Sequence, residues 1–329
     1  MITDLGERNN MYDVTALGEL LIDFTPCGVS EAGRALFEQN PGGAPANVLA
    51  ALSKLGCRTA FIGKVGNDMH GAYLRGVLEG LEINTANLIS DPDVFTTLAF
   101  VALQNGERSF SFARKPGADT QLRVDELNAD LLAQTKIFHF GSLSLTDEPA
   151  KSATYEAVRL AKEAGALISY DPNYRAALWP GRETAIREMR AVIPSVDIMK
   201  ISDEECELLT DASDPDEAAI RLLAAGVRCV FVTCGGDGSL LKTAAVSARE
   251  PAMKCELVDT TGAGDSFWGG ILYQFASNDW KPEDLDAEKA QTMLRFANTV
   301  AGLCVQKRGA IPAMPSKEAV EAIISSSRE

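Results

Sequence analysis

The stretch "DTTGAGDSFWGG", Asp259 to Gly270, sets the problem this chain poses. Glycine stands at 262 and 264 and again at 269 and 270, yet Phe267, Ile271 and Phe275 recur on one helical face. Glycine weakens a helix, so its crowding at a helix start calls for a reason. The first four amides of a helix have no partner inside it. Glycine lets the backbone bring those amides close to an anion, and the helix dipole adds to the attraction. The helix is predicted to begin around Gly262 to Ala263, which puts Asp265 in its first turn. A carboxylate at that end is electrostatically favoured and is expected to stay ionised.

Two chemistries fit Asp265. It could take a proton from an incoming hydroxyl while Gly262, Ala263 and Gly264 offer amides to a transferring phosphoryl group. It also fits a plain helix-start aspartate that only binds backbone amides. The spacing is neither the GxxxxGK[ST] phosphate loop nor GxGxxG, because Ser266 and Phe267 follow Gly264. A nicotinamide site would also sit near the first strand of the chain, not here.

Outward from this motif, apolar strand patterns alternate with longer helical ones, which predicts βαβ units. "YDVTALGELLIDF" (12–24) reads as the first strand region, and "NVLAALSKLG" (47–56) as a helix with Val48, Leu52 and Leu55 on one face. "TAFIGKVG", "IFHFGSLSL" (137–145), "ALISYDPNYR" (166–175), "DIMKIS" and "CVFVTCGG" continue as strands. "HGAYLRGVLEGLEI" and "EPAKSATYEAVRLAKEAG" read as helices. Residues 92–117 break the rhythm: "VFTTLAFVAL" and "RSFSFAR" are predicted antiparallel strands joined at "QNGE". Alternation places Phe110, Phe112 and Arg114 on one face. With a strand-like piece at about 24–38 they would form a small sheet covering a ligand or a second subunit. Edge strands of the main sheet are the alternative.

Composition narrows the classes. The 329 residues carry 31 Lys+Arg against 46 Asp+Glu, a formal charge of -15, which disfavours a nucleic-acid partner. Seven scattered cysteines without a CxxC pair predict reduced thiols and a cytoplasmic protein. The polar, acidic N-terminus is not expected to be a signal peptide, and no apolar run has the length of a membrane span. His70 and His139 have no metal-ligand spacing, and His139 in "IFHFG" is expected to be buried and hydrogen-bonded.

At this point two motifs carry a resemblance. "DTTGAGDSFWGG" resembles the C-terminal signature of the ribokinase-like (PfkB) carbohydrate kinases, and "PGGAPANVLAALSKLG" (41–56) their N-terminal one. They stand far apart in the family's order, and the likeness spans nearly the whole chain. It implies an α/β fold: a three-layer sandwich over residues 1–329 with a small β-sheet lid made by approximately 24–38 and 92–117. It implies ATP and Mg2+ as cofactors, Asp265 as base, and Gly262, Ala263 and Gly264 as an anion hole.

The same resemblance assigns other positions. Asp23 of "GELLIDF", with Gly42, Gly43 and Asn47, becomes part of a sugar pocket; read alone, Asp23 fits a turn and Asn47 a turn cap. Arg114, in "FARKPGAD", is expected to contact substrate, though alone it fits a solvated edge strand. Lys200 and Ser202 of "MKISDEE" fall at the phosphate end, with serine where the family commonly has asparagine. Glu205 is then expected to organise the hydration shell of magnesium, or else to cap its helix; Glu204 fits less well. "YDPNYR" places Asp171 and Asn173 at a strand end, and Asp171 would act through the same magnesium–phosphate water network with Arg175 nearby, although DPN is also a good turn sequence. Thr233, Gly235 and Gly238 match a nucleotide-binding VTxGxxG segment, and Asn298 a residue flanking adenine. Asp259, Thr261 and the region around Gly309 match a monovalent-cation loop, so K+ activation is an expectation.

"GGAPAN", "FARKPGAD" and "YDPNYRAALW" look more like fructokinases than ribokinases. Fructose phosphorylation is therefore expected, with 2-keto-3-deoxygluconate as the close alternative and a noncatalytic sugar-binding regulator as the distant one. The expected partners are a small neutral sugar and a second copy of the chain, paired through the lid.

Overall fold

The structure is a computed structural model that describes residues 11–104 and 107–326, with the backbone alone for 102–104 and 107–110. The predicted turn residues Asn105 and Gly106 lie outside the described residues, as do the Phe110 side chain and both chain ends of the expected domain.

The main sheet is built from β1 (Tyr12–Leu17), β4 (Thr59–Gly66), β5 (Asn84–Asp91), β8 (Thr135–Gly141), β9 (Leu167–Asp171), β10 (Ile198–Ser202), β11 (Cys229–Thr233), β12 (Ser239–Thr243) and β13 (Ser247–Glu250). Its strand order is β13-β12-β11-β10-β9-β8-β1-β4-β5. All pairs are parallel except β11–β12 and β12–β13, which return as hairpins. The second sheet has the order β3-β2-β6-β7, from β2 (Leu21–Val29), β3 (Ala35–Gly42), β6 (Leu98–Gln104) and β7 (Glu107–Ala113). The expected lid is therefore a separate sheet and not an edge of the core. The predicted first strand region divides in two: β1 belongs to the core, and the chain leaves it at Gly18 to open the lid as β2.

Alternation along the strands sorts the helices into two layers. Cys229 and Phe231 face one way, with α1 (Ala44–Lys54), α2 (Met69–Gly80), α8 (Ala263–Asn278) and α9 (Ala287–Cys304). Val230 and Val232 face the other, with α3 (Ala129–Ala133), α4 (Ala150–Glu163), α5 (Arg182–Ala191), α6 (Asp203–Thr210) and α7 (Pro215–Ala224). The C-terminal helix α10 (Lys317–Ser326) packs on α9. This is the expected three-layer sandwich. No helix among the described residues is long and apolar enough to cross a membrane.

Helix α8 explains the second glycine pair. It is buried on nearly every side rather than on one face. A Cβ on Gly269 would come within 2.6 Å of the Ala51 Cβ on α1, and one on Gly270 within 3.0 Å of the Ala297 Cα on α9. These glycines let two neighbouring helices press on α8. Its Trp268 donates to Ser169 Oγ (3.0 Å) and His139 Nδ1 (3.3 Å) on the sheet. His139 is buried and hydrogen-bonded as expected, and burial holds its imidazole down at about 3.

Gly269→Ala should therefore overpack the α1–α8 contact and cost about 1–3 kcal/mol. Gly76→Ala, on the exposed face of α2 with nothing within 4 Å of the added carbon, should be neutral or stabilise by up to ~1 kcal/mol. Urea unfolding of both variants checks the contrast.

Candidate active site

The C-terminal ends of the parallel strands, the N-terminus of α8 and the underside of the lid enclose a cavity of about 380 Å³. Ligands of open α/β sheets bind at this end, where loops leave the strands. Asp265, Gly262 and Gly264 form one wall, Asp23, Gly43 and Asn47 another. Val101 and Phe112 of the lid close over it.

The chain reaches this geometry through two strained starts. Gly262 caps α8 at φ 78 and Gly43 caps α1 at φ 119, both values that disfavour a side chain. A Cβ on Gly42 would collide with the Asp23 carboxylate, so this glycine shapes the pocket without lining it. Two sequence motifs separated by over two hundred residues meet here: Asn47 Nδ2 donates to Asp265 Oδ2 at 2.8 Å. Asn173, at φ 45, lies 3.4 Å from Asp265 Oδ1.

Burial dominates the electrostatics. It pushes the Asp265 carboxyl up to about 6, with Asp171 adding to the rise, while Asn47, Lys200 and Arg175 pull the other way. The helix start therefore does not lower this carboxyl, because desolvation outweighs it, but a group at about 6 is still mostly ionised at neutral pH. Asp23 is likewise raised to about 6 by burial, against the attraction of Arg175, which lines the cavity.

Lys200, which also lines the cavity, donates to Asp171 Oδ2 behind it at 2.9 Å, and both are buried. Burial alone would lower the ammonium, but Asp171, Glu205 and Asp265 together outweigh it and hold its pKa up. A Cβ on Gly264 would lie 2.9 Å from Lys200 Nζ, so the cation sits directly beneath the start of α8.

Several expected residues stand back from the cavity. Glu205 Oε2 accepts from Ser202 N (2.9 Å) and Ser202 Oγ (3.1 Å), and Oε1 from Tyr174 N (2.7 Å). Both oxygens therefore hold the turns around the site, which realises the capping alternative. Thr233 ends β11, and Gly235 and Gly238 form the turn into β12. Asn298 accepts from Ser239 Oγ and donates to the carbonyls of Glu250 and Pro251, so its amide staples α9 to that hairpin. Asp259, Thr261 and Gly309, by contrast, do line the cavity; Asp259 accepts from Thr261 and, through Oδ2, from Gly309 N at 3.0 Å, which brings the expected cation-loop residues together. Ala263 begins α8 but does not line the cavity.

Arg114 is a correction. It is buried beyond the end of β7 and does not share the Phe112 face of the lid or line the cavity. Its guanidinium donates to Asp119 Oδ2, Thr146 Oγ1 and the Leu143 carbonyl at 2.8–2.9 Å. Strand alternation failed because the strand ends at Ala113. Sequence reading also passed over Glu19, Asn40 and Arg308, which line the cavity. Glu19 lay inside the quoted "GELLIDF", but nothing in its spacing marked it as buried.

Lys200→Met should leave Asp171 buried without its counter-ion and cost about 3–5 kcal/mol. Replacing Asp171 by leucine in the same chain should recover much of that loss. Chemical denaturation of the single and double variants measures it.

Comparison with known proteins follows the same lines. The probable fructokinase-6, chloroplastic, of Arabidopsis thaliana is 46% identical over 312 residues, 93% of this chain and 81% of its own length. A fructokinase of Xylella fastidiosa with bound ATP superposes with a TM-score of 0.90 at 33% identity, covering 97% of this chain and 100% of that one. A double mutant of the Vibrio cholerae O395 fructokinase, bound to fructose, ADP and potassium ion, gives 0.84 at 29% identity over 95% and 98% of the two chains. The pfkB family carbohydrate kinase model matches residues 11–317, and the chain belongs to that family.

Proposed function

We propose that this kinase transfers the γ-phosphoryl group of ATP to a hydroxyl of fructose, giving fructose 6-phosphate, with Asp265 as the base. The observation that carries the mechanism is one carboxylate, buried at the glycine-rich start of α8, sharing a cavity with a second acidic group and held by Asn47. The likeness to fructokinases across almost the whole chain supports the substrate.

The chemistry follows from the placement. Asp23 and Asn47 bind sugar hydroxyls and orient one of them at Asp265. Asp265 accepts the proton of that hydroxyl as the oxygen attacks phosphorus in line. The first amides of α8 and the Lys200 ammonium beneath them stabilise the charge on the moving group. The lid, through Val101 and Phe112, excludes water that would otherwise compete for the phosphoryl group. The nucleotide lies toward Thr233, Gly235, Gly238 and the Asn298 staple.

Magnesium, when bound, neutralises phosphate oxygens. Glu205 and Asp171 fit it only through water, because their oxygens already accept protein donors. Asp259, Thr261 and Gly309 lie together beside the glycine-rich start of α8, and a potassium ion there would take carbonyl oxygens of this loop. Arg114 supports the pocket from behind rather than touching the sugar. Val29, Leu36, Phe37 and Phe100 of the lid are exposed apolar residues, which favours pairing with a second copy through the lid.

Three measurements test this reading. Asp265→Asn should lower kcat about 100- to 10,000-fold with little change in the fructose KM. For the wild type, kcat/KM should fall as pH drops through about 6, because protonation removes the base. A near-normal turnover in D265N would remove Asp265 from the mechanism. Separately, kcat/KM compared across fructose, ribose and 2-keto-3-deoxygluconate should favour fructose. Preference for the keto acid would keep the phosphoryl chemistry and overturn the substrate.

A further inference from the structure

Four chain crossings join the lid to the core, and their side chains converge on one buried cluster. Glu19 lies between β1 and β2, and its Oε1 accepts from Ala44 N, where β3 gives way to α1, at 2.7 Å. Thr97, where the chain enters β6, donates to Asp119 Oδ1. Arg114, where the chain leaves β7, binds Asp119 Oδ2. Asp119 and Arg114 in turn act on Glu19 by charge.

One atom of this cluster has no partner. Glu19 is only 3% exposed and lines the cavity, yet its Oε2 accepts no hydrogen bond. Burial pushes the carboxyl up to about 7, against the pull of its own amide and that of Ala44. A buried acceptor without a donor is costly, and such atoms in native proteins call for an explanation. The Oδ1 of Asn47, on the helix that Glu19 caps, is the other unpartnered acceptor in the same wall. Two buried acceptors without donors, on residues that line one cavity, match a ligand rich in O–H donors.

We propose that Glu19 is a specificity-determining residue of the sugar pocket, whose Oε2 accepts a hydrogen bond from a hydroxyl of the bound sugar. This rests on the assignment of a fructose substrate. Glu19 and Asp23 place two carboxyl groups in the lining of the cavity, which suits the hydroxyl donors of a neutral polyol. Because Oε1 of the same carboxyl holds the β3–α1 crossing, the sugar is tied directly to the hinge of the lid.

The test is Glu19→Gln, which retains an oxygen for Ala44 N and replaces the free acceptor by a donor. Its fructose KM should rise about 10- to 100-fold, while kcat and the ATP KM change by less than about threefold. Wild type and variant are then compared on 1-, 3- and 4-deoxyfructose and 2,5-anhydro-D-mannitol. One analogue should be penalised strongly by the wild type and hardly at all by E19Q, since the hydroxyl it lacks is the one Glu19 binds. Should E19Q not fold, Glu19→Asp, which keeps an acidic cap but draws the free oxygen back, gives the same readout. A wild type active on fructose beside a variant with unchanged KM and unchanged discrimination overturns the contact alone. A wild type inactive on fructose overturns the substrate assignment and the contact together.

Discussion

The arrangement of this molecule depends on removing one carboxylate from water at the start of a helix. Asp265 is buried, and its pKa rises to about 6 in consequence. That cost is tolerable only because Asn47, Lys200 and Arg175 act in the other direction. The Asn47 bond ties α1 to α8, and the Lys200–Asp171 pair fixes the floor beneath both. Around them the glycines serve opposite ends: those at the start of α8 expose amides to the cavity, and those further along let α1 and α9 close on it. The base proposed for the reaction therefore has a pKa near neutrality, where such a group is ionised yet able to hold a proton briefly.

The buried cations and carboxylates divide the work by depth. Asp265 and Asp23 reach the cavity, whereas Asp171 and Glu205 spend their oxygens on Lys200, Ser202 and Tyr174. Sequence motifs mix the two kinds, because a capping carboxylate and a reacting one are spelled alike. Arg114 and Asn298 illustrate the same point. Their donors and acceptors are consumed by Asp119, Leu143 and Thr146 in one case and by the β12–β13 hairpin in the other. Such residues hold a site in shape from outside it.

Much of the fold was legible. Alternation of short apolar runs with longer helical ones predicted βαβ units, the interruption at 92–117 fitted a lid or edge strands, and the family resemblance supplied the three-layer sandwich with its lid. The register between them was not legible, since "YDVTALGELLIDF" reads as one continuous strand. Only its partners split it: β1 pairs with β4 and β8, and β2 with β3 and β6. Helix α8 likewise looked one-faced by its aromatic spacing, but it is packed on nearly all sides.

From its residues alone the sequence left Asp265 open between a base and a helix-start carboxylate; the resemblance of the "GAGD" and "GGAPAN" motifs to the carbohydrate kinases pointed to phosphoryl transfer. The sequence by itself did determine the alternation of strand and helix, because period and composition are local properties of the chain. Tertiary structure alone decided which polar groups are spent on neighbours and which remain for a ligand. Glu19 shows the difference: nothing local distinguishes it, and its unpartnered oxygen exists only because the lid crossings close around it. Burial and pairing are properties of segments brought together from distant parts of the chain, so they set the pKa of Asp265 and the place of Arg114 where spacing could not.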